Sequence, residues 1–532
     1  MTAYKILICI FVLLLALTAC EQAQNSLPTE TQSAILPIEP QATTPTDLKP
    51  QLNGVEITLT DSQIQVDGVP VATDSASAVY IANDIIYYEA GKDFTYGEGT
   101  ETDAHSAELA QAHTVLHITK PGTYRISGKL SKGQIAVDLG KDAKSNPDAI
   151  VTLILNGVDI TCEVAPAVIF YNVYECGDTE TGTKDVDTTA AGANVILADG
   201  SENHIHGSYV ARIYKPESIV LNDTGTEVTD AKKLHKYDGA FYSKMSMNIS
   251  GEATGSGILN IYAENEGLDS ELHLTVNGGN INIYSGNDGI NTNEDGISVT
   301  TINGGALTIR VTGETGEGDG IDSNGWLVIN GGTVFAAACS HSADAGIDSD
   351  MGIHINGGTV IASGHMLDRI EDNGQTYAVF SFNQQQNGTD TLFLKDENAN
   401  TLLKVTPQNA YSILIYSSPD LKEGIYTLWS NEEQLAYGAG SMNGRPGMMP
   451  PDGFDKPMER PEGNPHFEGM TPPDGSSPIE GQRPPEGEFP PDKPSRPNDG
   501  NWNSEGNPPQ ERTPDFQISQ GANQFSGIAP LE

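Results

Sequence analysis

The chain has 532 residues and a formal charge of −44, from 72 acidic against 28 basic side chains. That balance excludes nucleic acid as a partner, because there is no basic footprint to neutralise phosphates. Any anionic partner is repelled unless a divalent cation lies between.

Lys5 precedes an apolar run from Ile6 to Leu17, closed by Leu17-Thr18-Ala19-Cys20. Small residues before a cysteine resemble the bacterial lipoprotein signal. Residues 1–19 therefore read as a removed signal, Cys20 as the lipidated N-terminus, and the mature chain as exported and membrane-tethered. The run is short for a membrane span. Residues 20–50, rich in Gln, Thr, Pro and Ser, read as a flexible linker. Residues 51–109 form a leading β segment, in which Val55 to Leu59 alternates apolar with polar.

The main body is expected over residues 110–370. Four apolar strands there run into Asn-Gly-Gly, with Asn277, Asn303, Asn330 and Asn356 spaced 26, 27 and 26 residues apart. A repeat of that length without a helix predicts a stacked β-solenoid. After each Asn-Gly-Gly the strand alternates. Ile281 and Ile283, or Leu307 and Ile309, face the interior, while Asn282 and Tyr284, or Thr308 and Arg310, line an outer face. Gly177 to Gly192 interrupts the body as a polar insertion. Residues 371–437 read as a small β domain or cap over an open strand edge. Residues 438–532, rich in Pro, Gly and acids, are expected to be disordered. Cys162, Cys176 and Cys339 have no metal-ligand spacing; Cys162 and Cys176 either pair in an oxidising compartment or pack as small buried groups.

A second element repeats out of phase with the first, a glycine flanked by carboxylates. Aligned on that glycine, one column holds Asp238, Glu266, Asp288 and Asp319, and the column two residues after it holds Asp269, Asn291, Asp322 and Asp348. Stacked coils lie about 4.8 Å apart. Like charges at that separation repel by about 3–4 kcal/mol at an effective dielectric near 20. A divalent cation between coils reverses the sign. Carboxylates, amide oxygens and turn carbonyls suit Ca²⁺, whereas Zn²⁺ would want clustered His and Cys. Turn chemistry alone also places Asp beside Gly, although it favours Asn as readily. Tyr262, Tyr284 and Arg310, with Asn282 beside them, form a candidate carbohydrate-contacting column, against the plainer reading that Tyr is common on strand surfaces.

The segments His117 to Gly128, Leu153 to Ile160 and Leu197 to Asn203, followed by the Asp-Gly-Ile and Asn-Gly-Gly coils, resemble a bacterial family. It is the calcium-dependent carbohydrate-binding β-helix family of the pectate-lyase-like superfamily. The resemblance covers about residues 110 to 365. It implies an all-β, right-handed parallel β-helix, calcium at the Asp corners, and binding of cellulose or a polygalacturonate-like glycan without catalysis. The insertion at Gly177 to Gly192, Ala345 where an acid would precede Gly346, and the Pro-rich tail depart from the pattern. Two other readings fit the same residues: a polysaccharide lyase or hydrolase on this fold, and a structural adhesin stiffened by calcium. A lyase needs a strong base over the metal-bound uronate; the regular coils offer Lys244, Arg310 and Arg369.

Overall fold

The computed structural model describes residues 54–177, 179–438 and 512–531. The signal and lipidation site at Cys20, the linker and most of the acidic tail lie outside the described residues. Those described are all-β apart from a five-residue α-helix, Ala107–Gln111, and two 3-10 turns.

The repeat builds three ladders of parallel strands. In the first, Ala193–Leu197, Met247–Gly251, Leu274–Val276, Val299–Ile302, Trp326–Ile329 and Gly352–Ile355 pair in chain order. The register stacks Val195, Ile249, Val276, Ile302, Ile329 and Ile355 in one buried column. The second ladder runs Glu202–Gly207, Ile258–Ala263, Asn280–Ser285, Ala306–Val311, Thr333–Ala337 and Thr359–Gly364. Its alternate residues Ile205, Ile261, Ile283, Ile309, Ala336 and Ala362 face the same core. The third contains Gly239–Ser243, Glu266–Ser270, Ile290–Thr292 and Ile321–Ser323, with Phe241, Leu268, Ile290 and Ile321 inward. A one-residue slip anywhere would turn these columns to solvent, so each ladder fixes the register of the next.

Asn-Gly-Gly joins the first ladder to the second. Asn303 Nδ2 donates to Asn277 Oδ1 at 2.9 Å, Asn330 to Asn303 at 2.9 Å and Asn356 to Asn330 at 2.8 Å, an amide ladder along an exposed edge. The second glycine carries the positive φ, +86° at Gly305, where a Cβ would stand 2.5 Å from the Gly279 carbonyl oxygen. Only glycine meets both conditions.

Two inserts leave the regular coil. The described part of the predicted insertion at Gly177 to Gly192 meets the outer face of the first ladder through Thr188. There Thr188 Oγ1 donates to Asn248 Oδ1 at 2.8 Å, and Asn248 Nδ2 returns a bond to the Thr188 carbonyl at 2.7 Å. An antiparallel hairpin of Val210–Tyr214 and Lys233–Tyr237 leads into the first acidic corner. Cys162, Cys176 and Cys339 are free thiols, so the Cys162–Cys176 pairing does not form. Burial pushes the Cys162 thiol up to about 12, which leaves it unreactive.

Further strands meet both ends of the second ladder, at the start through Val151–Cys162, which pairs with Glu202–Gly207 and with Gly122–Leu130. Val55–Leu59 pairs with Gly122–Leu130. Tyr411–Ser417 pairs antiparallel with Thr359–Gly364 and takes up the edge of the last coil. The expectation that residues 438–532 lack structure throughout fails over their last part. Phe516–Ile518 pairs with Gly424–Ser430, and Ala522–Pro530 pairs with Tyr377–Gln386. The reason is apolar content: Phe516, Ile518, Phe525 and Ile528 are buried in a second core with Phe380 and Leu428. That short alternating run resumes strand periodicity after the Pro-rich stretch.

Candidate functional site

The third ladder and the turn before it carry the acidic columns. Its register places Asp269 beside Asn291 and Asn291 beside Asp322. Two groups result. Ligand oxygens of Asp238, Glu266 and Asp269 all lie within 4.8 Å of one another, as do those of Asp319, Asp322 and Asp348. Every acid predicted for the columns thus falls in one group or beside one, with Asp288 accepting the Asp319 amide at 2.7 Å.

In the first of these, the upper group or corner, Asp269 is fully buried and Glu266 nearly so. Glu266 Oε2, Asp269 Oδ2 and the Asn291 amide oxygen are buried without a hydrogen-bond partner. Buried acceptors of this kind are costly and seldom left unpaired in folded proteins. Their companion atoms are well held. Asn291 Nδ2 donates to Glu266 Oε1 at 3.1 Å, and Asn293 Nδ2 donates to Asp269 Oδ1 at 2.6 Å. Burial first, then the neighbouring carboxylates, holds Glu266 and Asp269 well above the usual carboxylate range. Lys236 stands at the mouth. Its Nζ is 2.6 Å from Asp238 Oδ2, with the lysine side chain 40% exposed. Burial alone would lower the Lys236 pKa; Asp238, then Glu266 and Asp269, outweigh it and keep the ammonium charged.

The lower group is more open. Burial, reinforced by neighbouring carboxylates, pushes Asp322 and Asp348 up to about 7 and Asp319 up to about 9. Asp319 Oδ1 also accepts the Ala345 amide at 2.5 Å, so acids of the first column tie one coil to the next as well as gathering charge. Two acids absent from the predicted columns neighbour this group, Asp344 acting on Asp288 and Asp368 on Asp322 and Asp348. Asp344 Oδ2 accepts the Gly318 amide at 2.7 Å, and Asp368 Oδ2 accepts the Ser349 amide at 3.1 Å. Asp344 sits one residue ahead of Ala345, the position where the repeat lacked its acid, and an alignment allowing a one-residue offset would have found it. Lys236 lies two residues before Asp238, on the same side of an extended chain, but on a hairpin outside the repeat, so the column alignment does not reach it.

The outer column of the second ladder is in the expected register, with Tyr262 beside Tyr284 and Tyr284 beside Arg310. His206 extends it. His206 and Tyr262 stack at 4.4 Å between ring centroids, and Tyr262 and Tyr284 at 5.4 Å with planes 7° apart. Stacked in this way the rings cover one another's faces and offer mainly edges to solvent. Arg310 turns away to donate from Nε to Asn409 Oδ1 at 3.0 Å, joining the coils to the terminal β unit. Asn282 Nδ2 donates to Asn260 Oδ1 at 2.9 Å, which occupies part of its bonding capacity.

Residues 112–376 match the family model described as carbohydrate-binding domain-containing protein. A curated protein of the same description from Acetivibrio thermocellus is 29% identical over 177 residues, covering 33% of this chain and 46% of that protein. The match thus spans about half the length of that relative. Among solved structures, a gadolinium derivative of the polysaccharide lyase-like protein from C. thermocellum is 19% identical, with 58% of this chain and 89% of that chain covered at a TM-score of 0.33.

Proposed function

We propose that this protein binds a polysaccharide, cellulose or a polygalacturonate-like acidic glycan, through calcium held at its acidic corners, and does so without catalysis. The coils are then a right-handed parallel β-helix on an exported chain tethered through Cys20. One observation carries the reading. Glu266, Asp269 and Asn291 each leave a buried oxygen unpaired, with Glu266 and Asp269 in one carboxylate group and Asn291 hydrogen-bonded to Glu266. Such a donor set suits a hard, loosely coordinated cation, with Asp238 as a further ligand there. Asp319, Asp322 and Asp348 offer a second all-oxygen set, with Asp288 beside it. A bound calcium ion would neutralise either corner and leave coordination positions open to a uronate carboxylate.

The family description of residues 112–376 supports a carbohydrate partner. The stacked Tyr262 and Tyr284 rings support a lesser role for that column, since their faces are turned to each other and sugar stacking needs a free face.

A lyase is the second reading, favoured by Lys236 at the acid cluster. Its ammonium is held protonated by carboxylates, which is the wrong charge state for abstracting a proton. The test is retention of the mature protein on insoluble cellulose and on polygalacturonate, in calcium and in chelator, with unsaturated-product absorbance followed in the same tube. Calcium-dependent retention without product supports the proposal. Product formation makes the protein a lyase, and retention that ignores calcium removes the metal from the account.

A further inference from the structure

The two acidic groups differ in one respect. No lysine or arginine forms an ion pair with Asp319, Asp322 or Asp348 among the described residues, whereas Lys236 pairs with Asp238 at 2.6 Å. When all three carboxylates are ionised, one ammonium against them leaves the upper corner two negative charges, the complement of one divalent cation. Lys236 is nonetheless bound to an oxygen that such a cation would use. Its anchor is one-sided. The side chain is 40% exposed, on a strand of the protruding hairpin, and four methylenes let its ammonium swing without moving backbone. The neighbouring Lys233 is already committed to Glu271, at 3.0 Å.

We infer that Lys236 is a two-position side chain that couples cation occupancy to recognition of an acidic glycan. With the corner vacant its ammonium neutralises Asp238. With a divalent cation in the corner, Asp238 is taken up, and the ammonium is displaced toward solvent at the rim. There it pairs with a carboxylate of the bound uronate chain. Lys236 therefore competes with the cation and assists the glycan. In a chain of charge −44, a freed ammonium at the rim is also a local site where an anionic polymer is not repelled. The inference rests on the calcium-dependent reading above.

The two roles predict effects of opposite sign for one substitution. Lys236→Met in the full chain keeps the aliphatic stem and removes the competitor. Calcium affinity at one site, by titration calorimetry, should rise about tenfold, the scale of one charge-assisted hydrogen bond. Retention on polygalacturonate at saturating calcium should fall, while retention on cellulose, which has no carboxylates, stays unchanged. Lys236→Arg keeps the charge and should restore wild-type behaviour in both assays. It also guards against a folding defect from leaving Asp238 unpaired. Calcium binding that is unchanged in Lys236→Met overturns this inference alone, as does a parallel loss of calcium and glycan binding. Absence of calcium binding in the wild-type chain overturns the calcium-dependent reading itself.

Discussion

Replacing Asp269 with Asn removes a unit charge from the upper corner and keeps its shape. The ligand oxygens of Asp238, Glu266 and Asp269 lie within 4.8 Å of one another. At that separation a pair of like charges costs about 3–4 kcal/mol with an effective dielectric near 20. Burial and the neighbouring carboxylates raise Glu266 and Asp269 above the usual range, which already disfavours having all three charged together. The relief on substitution is therefore about that of one pair or less. The amide oxygen of Asn can still accept from Asn293 Nδ2, which is 2.6 Å from Asp269 Oδ1, so little is lost in exchange. In chelator the variant should unfold at a higher temperature than wild type, by several degrees on a scale of about 2–4 °C per kcal/mol for domains of 150–250 residues. In calcium the order should invert, because a ligand has gone and the cation's stabilising effect shrinks. Thermal melts with calcium and with chelator read both. A variant that melts lower than wild type in chelator and keeps the full calcium response would rule out both the charge relief and a cation ligand at Asp269.

Three further outcomes are expected. Burial pushes Asp288, Asp322 and Asp348 up to about 7 and Asp319 up to about 9, against about 4 in an unfolded chain. Between those limits the folded state binds more protons than the unfolded one. The chelated protein should therefore lose stability as pH rises from about 4 through 7 to 9, and melts that rise with pH in chelator would contradict it. Gly305→Ala, at φ +86° and against the Gly279 carbonyl, should cost about 1–3 kcal/mol by denaturant unfolding, and Gly304→Ala, which has no positive φ, distinctly less. Phe516→Ala empties a fully buried site packed on Phe380 and Phe525, and should lower the melting point at a cost of about 3–5 kcal/mol, whereas a C-terminal stretch without structure would register nothing.

Much of this was legible because a repeat makes sequence period and stack spacing the same information. The interval between Asn277, Asn303, Asn330 and Asn356 anticipated their amide ladder, and the alternation around Ile281 and Ile283 anticipated which side faces the core. The columns holding Asp269, Asn291 and Asp322 followed from the same alignment. What escaped lies where the period breaks. Lys236 arrives on a hairpin that belongs to no coil, so no column predicts it. Phe516 to Ile528 joins the terminal β unit from beyond a long Pro-rich stretch, a contact that local pattern cannot place. Register is periodic but ring orientation is not. The Tyr262–Tyr284 column was found, while the mutual covering of its faces depends on rotamers that sequence does not specify.

Anomalous diffraction from crystals grown in calcium would locate a cation at the upper corner. A peak is expected beside the unpaired oxygens of Glu266, Asp269 and Asn291, with Lys236 turned away from Asp238. A corner with no peak, and with Lys236 still on Asp238 at saturating calcium, would contradict a cation site there.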